Sequence, residues 1–389
     1  MSLPRVYFFC SPEADNLQDD IIILAEGLQS LGIPYFASAN YWRRSTAPDD
    51  FLFRHTPEVQ PDDCDVVVLP YTWYNWIKIG IPYAMRQPTP AGLFKTGRRY
   101  RTVYMDTSDG WQTVSWEPEF RQFDVIFRTK LNRRIWHPSN FRPWVLGLSN
   151  RMLRHTRDAP PFSERRRSVL INFGASHHYP HTSRLRAQAK LDPLLARHFP
   201  LDATRDDLSI PPSDPLDRLM WEQTNRRHSP SYYDRLKQNQ IVSCFCGELI
   251  PPMPWRNPQQ YLVGGNKAKV KMAFFRLLAH LDPRPERIVQ WDSWRFWESL
   301  AAGCVAINLD LERYGAELPV VPEIGRHYIG VDLDNPRPAV ERLVEDKAGL
   351  EQISREGHDW ALRHYTPPAM ASRFLKELGF TIHADAPAT

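Results

Sequence analysis

The sequence predicts an α/β protein made of two doubly wound domains, and three observations support this prediction. Its 389 residues exceed the size at which a single hydrophobic core usually stops growing, about 250–300 residues. Apolar runs alternate with helix-length segments in both halves of the chain, which is typical of parallel sheets covered on both faces. A polar stretch at 157–167 separates the two halves and predicts an interdomain linker.

The first domain, residues 1–157, is predicted to be a Rossmann-like layer of parallel strands and covering helices. A helix is predicted at 16–31, because Gly32 follows it and glycine is common just after a helix end. The G-x-G-x-x-G turn of dinucleotide-binding folds does not follow the first strand. The predicted strands lie at 5–10, 34–37, 65–70, 101–105 and 124–127.

The second domain, residues 168–365, repeats this alternation around a second predicted sheet. Its polar stretch 201–230 is predicted to be a surface excursion, and 251–285 is predicted to be an insertion. The predicted strands lie at 168–174, 241–246, 304–309 and 328–332, and the predicted helices lie at 183–195, 267–281, 339–345, 350–365 and 367–378.

Residues 290–307 carry the most informative pattern of the chain. A helix is predicted to begin at position 292 or 293, where Asp and Ser are good N-caps, and to stop at Gly303. Arg295, Glu298 and Ser299 share one face of this helix, which offers a cation for phosphate and a carboxylate for a sugar diol. The alternative is an amphipathic helix with an i,i+3 Arg–Glu pair, worth only about 0.2–0.5 kcal/mol.

The sequence Arg-x-x-Glu-Ser-Leu-Ala-Ala-Gly-Cys-Val at 295–305, followed by an apolar strand, resembles the donor-site signature of GT-B glycosyltransferases. It is most similar to the branch with the CgeB-like, exostosin-like and family 1-type enzymes. The resemblance implies two Rossmann-like domains that face each other across a cleft, with a nucleotide-sugar donor on the second domain. It implies that Glu298 holds the ribose hydroxyls and that Arg295 and Ser299 contact the diphosphate.

The end of the chain carries a second resemblance. Residues 358–368 are similar to the GT-B tail, which implies that 366–381 form a helix that crosses back to the first domain. One position departs from the family pattern. Many retaining GT-B enzymes carry Glu eight positions before the equivalent of Glu298, and Gln290 stands there in this chain. The incomplete pattern slightly favours inversion of the sugar configuration.

Two carboxylates are candidates for the general base of an inverting reaction. Asp106 and Asp109 follow the predicted strand 101–105, at the edge where doubly wound folds bind ligands. Either carboxylate could accept the proton of an acceptor hydroxyl. The alternative is that they close a turn or cap a helix.

Four further residues are candidates for donor binding. Gly174 and Ser176 follow the first strand of the second domain, where a small-residue loop lets the backbone approach a phosphate. Arg184 would be a second phosphate ligand, with a surface ion pair as the alternative. Gly247 ends the strand that borders the nucleotide base in related enzymes, so we expect it to give room for the ring.

Composition limits the partners and the compartment. A net charge of +4 is too small to indicate nucleic acid, so a nucleic-acid acceptor is an alternative that we do not favour. We expect a glycan, a lipid-linked or another hydroxyl acceptor.

The five cysteines form no C-x-x-C pair, and no apolar run approaches the ~20 residues that span a bilayer. The early first strand leaves no room for a signal peptide, so we expect a cytoplasmic protein, with contact to a membrane surface left open.

The leading hypothesis is a metal-independent glycosyltransferase without a cofactor, in which a nucleotide-diphosphate sugar is the co-substrate. The resemblance supports the absence of a metal, since GT-B enzymes usually work without one. A catalytically silent GT-B-like protein that binds nucleotide or glycan is the alternative. A dinucleotide-dependent oxidoreductase is disfavoured because the glycine turn is missing.

Overall fold

A computed structural model describes the chain except for residues 1–2, 12–18, 75–87, 109–113, 174–181, 252–269, 271–273, 275–285 and 382–389. Two parallel sheets dominate the described part, one in each half of the chain. The predicted α/β class with two doubly wound layers is therefore confirmed. In the same part of the chain, no helix has both the length and the apolar character that a bilayer-spanning segment needs.

The first sheet has the strand order β2-β1-β5-β6-β7-β9, and all of its neighbouring strands are parallel. Residues 66–69 of β5 are fully buried, as expected for a strand covered on both faces. The strands of this half are β1 (Val6–Phe8), β2 (Tyr35–Ala37), β3 (Tyr41–Arg43), β4 (Phe51–Phe53), β5 (Val66–Pro70), β6 (Arg101–Asp106), β7 (Val125–Thr129), β8 (Leu131–Asn132) and β9 (Phe141–Trp144), and the helices are α1 (Asp19–Ser30), α2 (Tyr71–Tyr74) and α3 (Asn150–Thr156).

The second sheet has the order β11-β10-β12-β15-β17 and is also parallel. Its strands and the shorter strands beside it are β10 (Arg166–Leu170), β11 (Leu201–Asp202), β12 (Asn239–Ser243), β13 (Leu249–Ile250), β14 (Arg287–Ile288), β15 (Val305–Leu309), β16 (Ala316–Glu317) and β17 (Ile329–Val331). The helices are α4 (Thr182–Arg186), α5 (Asp192–Leu195), α6 (Pro215–Gln223), α7 (Pro230–Gln238), α8 (Trp294–Ala301), α9 (Arg337–Glu345), α10 (Lys347–Tyr365) and α11 (Pro367–Glu377), and a π-helical turn, Ala187–Leu191, joins α4 to α5.

The stretch 201–230 differs from its prediction as a surface excursion. It contains β11, which pairs with β10, and the helix α6. The helix starts at Asp214, whose carboxylate accepts the backbone N–H groups of Leu216 and Asp217, both at 2.9 Å. An Asp N-cap followed by Pro at the first helical position is a strong start signal. The predicted helix 267–281 lies mostly outside the described residues.

The last helix returns to the first domain. Helix α11 packs on α1, and the contact is so close that a Cβ added to Gly27 would overlap the carbonyl group of Pro367. The ring of Phe374 lies 5.3 Å from that of Phe127 in the first sheet. The end of the chain therefore contributes to the core of the domain in which the chain begins.

A small interdomain sheet joins the two halves. Strand β8 follows the carboxyl end of β7, strand β16 follows that of β15, and the two pair antiparallel, with Asn132 opposite Ala316. The side chain of Asn132 donates to the carbonyl oxygens of Ile288 and Tyr314, both at 2.8 Å. The carboxyl edges of the two parallel sheets, where doubly wound folds bind ligands, are therefore brought together.

Candidate functional site

Helix α8 lies where the predicted donor helix was expected. Ser293 is its N-cap, and Gly303, with φ of +64°, follows its end in the left-handed conformation that glycine adopts without strain. The ring of Trp297 stacks on Trp360 of α10 at 6.0 Å, which fixes one face of the helix. The Ser293 hydroxyl is buried and has no hydrogen-bond partner in the described part of the chain.

Two guanidinium groups converge beside the start of this helix. The Cζ atoms of Arg295 and Arg184 lie 6.0 and 5.4 Å from the ring centroid of Phe173. Phe173 follows β10 and is the last described residue before 174–181. The Nε of Arg184 donates to the carbonyl of Phe245 at 3.0 Å, which fixes its position. The structure thus brings together two predicted donor-binding residues from separate elements.

Arg295 is available to an anion. Its Nε is buried without a hydrogen-bond partner, and no ion pair engages its guanidinium among the described residues. A buried, unpaired donor group costs free energy unless a ligand or water satisfies it. A phosphate bound here would meet this cation and the N–H groups at the start of α8.

Ser299 does not belong to that site, and its prediction as a diphosphate contact is wrong. The side chain is fully buried, and its hydroxyl donates to the carbonyl oxygen of Arg295 one turn earlier. The sulfur of Cys244 lies 3.3 Å from the same hydroxyl. Ser299 therefore faces the second sheet instead of a ligand.

Glu298 belongs to a buried network that the sequence analysis missed. Its two carboxylate oxygens accept the hydroxyls of Tyr232 at 3.0 Å and Tyr233 at 2.7 Å, both on α7. The guanidinium of Arg151, on α3, donates to Tyr233 at 3.0 Å. Burial raises the pKa of both tyrosines well above the ordinary value, so they remain protonated donors. Glu298 itself is 6% exposed, and its role toward ribose stays a prediction.

Gly247 has a different role from the predicted one. It adopts φ of +99°, and an added Cβ would overlap the backbone carbonyl of Gln290. The glycine therefore lets two backbones pack against each other instead of giving room for a base. Its own carbonyl accepts the backbone N–H of Ser183 at 3.2 Å and the hydroxyl of that residue at 2.9 Å, which anchors the start of α4.

Asp106 is held inside the first domain. It is 1% exposed and forms an ion pair with Arg128, which is equally buried. The hydroxyls of Ser108 and Ser115 donate to its two oxygens. A general base needs contact with the acceptor hydroxyl, which this position does not provide, so the structure contradicts a catalytic role for Asp106. Asp109, Gly174 and Ser176 lie outside the described residues.

Asp292 is a second residue that the sequence analysis did not select as a site residue. It precedes the N-cap of α8 and is 3% exposed. It accepts the N–H of Leu146, from the first half of the chain, and the indole N–H of Trp297, both at 2.6 Å. Burial raises its pKa to about 6. Asp292 therefore ties the start of α8 to the first domain.

One group of side chains has the ligand types of a metal site. Among the described residues, His155, Asp217 and His228 place their ligand atoms within 4.8 Å of one another. A guanidinium nitrogen of Arg154 lies 2.9 Å from His155 Nε2 and 3.3 Å from Asp217 Oδ1. Arg151 donates to His228 Nδ1 at 3.3 Å, although metal-bound histidines usually donate from their second nitrogen. The cluster is thus arranged around arginine cations.

The sequence matches no protein-family model. No curated protein matches it. Among solved structures, an alpha-glucosyltransferase in complex with UDP-glucose and DNA containing an abasic site has a TM-score of 0.52 at 9% identity, and the match covers 97% of this chain and 100% of that chain. A glycosyltransferase from Rickettsia africae gives 0.49 at 9% identity over 97% of this chain and 98% of that chain. AviGT4, a glycosyltransferase involved in avilamycin A biosynthesis, gives 0.44 at 14% identity over 96% of both chains. The chain has the GT-B fold that the alpha-glucosyltransferase represents.

Proposed function

We propose that this protein transfers a sugar from a nucleotide-diphosphate sugar to a hydroxyl acceptor. The observation that carries the proposal is the convergence of Arg184 and Arg295 on Phe173, beside the first turn of α8. In the GT-B fold this position, at the carboxyl edge of the second sheet, suits the diphosphate of a donor. The proposed acceptor approaches from the first domain across the same edge.

The proposed chemistry depends on charge stabilisation. As the bond between the sugar and the diphosphate breaks, negative charge grows on the departing phosphate. Arg295 and the N–H groups at the start of α8 are fixed before the reaction, so they stabilise this charge without reorganisation. Removal of one such donor costs about 2.7–4 kcal/mol in other enzymes. We propose that side chains and backbone perform this task, so that the transfer is metal-independent.

The donor and acceptor to be tested first follow from the fold. The alpha-glucosyltransferase with this fold was solved with UDP-glucose and DNA. UDP-glucose is therefore our first donor, and DNA is an acceptor to test beside glycans and lipid-linked hydroxyls. Inversion stays our preferred outcome because Gln290 replaces the Glu of the retaining pattern. All five cysteines are buried and unpaired, which supports a reducing, cytoplasmic location.

Nucleotide binding tests the donor site directly. We would measure thermal unfolding with UDP, GDP, dTDP, CMP and NAD for the wild type and Arg295→Ala. A ligand at 100 times its dissociation constant stabilises by about 2.7 kcal/mol, which raises the melting temperature by several degrees. We expect one nucleoside diphosphate to raise it and Arg295→Ala to reduce the rise.

Arg5→Ala is the matched control, because the Cζ of Arg5 lies 4.8 Å from the ring of Phe36, far along the chain from α8. It should keep the full rise. An equal rise in Arg295→Ala, or none with any nucleotide in the wild type, would refute the proposed donor site. Release of UDP from UDP-glucose then separates an active transferase from the silent binding protein, which would bind without turnover.

A further inference from the structure

We infer that Tyr232 and Tyr233 are positioning residues that make the donor site select ribonucleotides over deoxyribonucleotides. The inference rests on the proposed function, because the inference places the ribose of the proposed donor at Glu298. It concerns the two tyrosine hydroxyls that reach the carboxylate of Glu298 from α7.

The geometry of the pair fixes the carboxylate. Tyr232 donates to one oxygen of Glu298 and Tyr233 to the other, at 3.0 and 2.7 Å. Both tyrosines are buried, at 8% and 2% exposure, so their rings cannot follow a moving partner. Arg151 donates to the Tyr233 hydroxyl at 3.0 Å and thereby helps to fix it. The plane and the rotamer of the Glu298 carboxylate are therefore set from outside α8.

The fixed carboxylate retains acceptor capacity. An ionised carboxylate has about four lone-pair positions, and the two tyrosines use two of them. One position remains on each oxygen, which matches the two hydroxyls of a vicinal diol such as the 2′ and 3′ hydroxyls of ribose. A deoxyribose offers only one of these donors, so one oxygen would be left without its ligand bond.

The rigidity of the carboxylate decides how strongly the site discriminates. A mobile carboxylate could rotate and recover water or another donor when the 2′ hydroxyl is missing. A fixed, nearly buried one cannot, and sites of this kind reject analogues that lack the hydroxyl because a buried polar group stays unpaired. Glu298 would contact the ligand, and the two tyrosines would act through it.

The test is the ratio of two dissociation constants. We would measure UDP and 2′-deoxy-UDP by calorimetry on the wild type, Tyr232→Phe and Tyr233→Phe, at one salt concentration. If a nucleoside diphosphate with another base raises the melting temperature most, the ribo and 2′-deoxy forms of that diphosphate are used instead. We expect the wild type to prefer the ribonucleotide about tenfold or more, and each Phe variant to lower this ratio at least about threefold. Glu298→Gln should bring the ratio close to one.

Two controls separate positioning from stability. Tyr314→Phe removes a buried hydroxyl that donates to Asp332 at 3.2 Å and accepts the N–H of Leu333 at 3.1 Å. Neither partner belongs to α7 or α8, so this variant should leave the ratio unchanged. The two Phe variants are independent, so loss of folding in one leaves the other informative. An unchanged ratio in a folded Phe variant, or equal weakening of both nucleotides, would overturn the inference. Failure of every nucleotide to bind the wild type would instead overturn the proposed function.

Discussion

Asp106 and Asp292 are both almost completely buried, yet their surroundings differ. Asp106 contacts the guanidinium of Arg128 and accepts two serine hydroxyls. Asp292 accepts two neutral N–H groups, and burial raises its pKa to about 6. At the scale of the residue, desolvation is the largest cause of the raised pKa of Asp292. The raised pKa of Asp292 should therefore be visible in the pH dependence of stability.

Replacing Asp292 by Asn should change the pH dependence of stability. The folded protein raises the pKa of Asp292 from 3.8 to about 6. The stabilisation associated with its bound proton is therefore complete below the lower value and is lost as the pH rises through the higher one. Between about pH 4 and about pH 7, we expect the free energy of unfolding of the wild type to fall by roughly 2–3 kcal/mol relative to the variant. Urea unfolding at a series of pH values measures this, and parallel profiles for the two proteins would contradict it.

At the scale of the element, helices α8 and α1 differ in what explains their residues. Local capping signals explain the ends of α8, whereas a contact with a distant segment explains a glycine in α1. The bounds of α8 follow from local signals, because Ser293 starts it and Gly303 ends it. Gly27 in α1 has no local explanation, since glycine weakens a helix interior. Its reason is the carbonyl of Pro367, which occupies the space of a side chain.

Gly27→Ala should destabilise the protein, although helix propensity alone predicts a gain of roughly 0.8–1.0 kcal/mol. The added methyl group would overlap the Pro367 carbonyl and come within 2.7 Å of the Cβ of Ala371, so α11 must shift from α1. Overpacking of this kind costs about 1–3 kcal/mol. Thermal unfolding measures the change, with Gln29→Ala, at an exposed position of the same helix, as the control. A more stable Gly27→Ala protein would show that α11 does not pack here.

At the scale of the whole molecule, the two domains are joined by specific polar contacts as well as by the chain itself. Asn132 bonds two carbonyl groups of the second half, and Asp292 bonds the backbone of the first. Helix α11 adds a packed contact on α1. These contacts bring the carboxyl edges of the two sheets together, at the place where we propose that the donor and the acceptor meet.

Asn132→Ala should loosen this arrangement. The variant would remove the side-chain donor of the Ile288 carbonyl, and an unsatisfied carbonyl costs about 1–3 kcal/mol. The carbonyl of Tyr314 would keep the backbone N–H of Ile288 at 3.1 Å. Amide hydrogen exchange should become faster in β8 and β16, whose pairing lies next to the lost bonds, and remain unchanged in β5 at the centre of the first sheet. Unchanged exchange in β8 and β16 would show that the side chain of Asn132 does not hold this strand pair together.

The sequence by itself determined the α/β class, the buried strands and the position of α8, because apolar alternation and capping residues act over a few neighbours. The sequence also predicted Arg295 and Arg184 as donor-binding residues, and the structure places both guanidinium groups beside the ring of Phe173. Only the tertiary structure decided what surrounds Glu298, since Tyr232 lies 66 residues away along the chain. Likewise, Ser299 and Asp106 have plausible spacing for a site, but packing turned both into the interior. Local signals fix backbone conformation, whereas the partners of a side chain depend on which distant elements the fold packs against it.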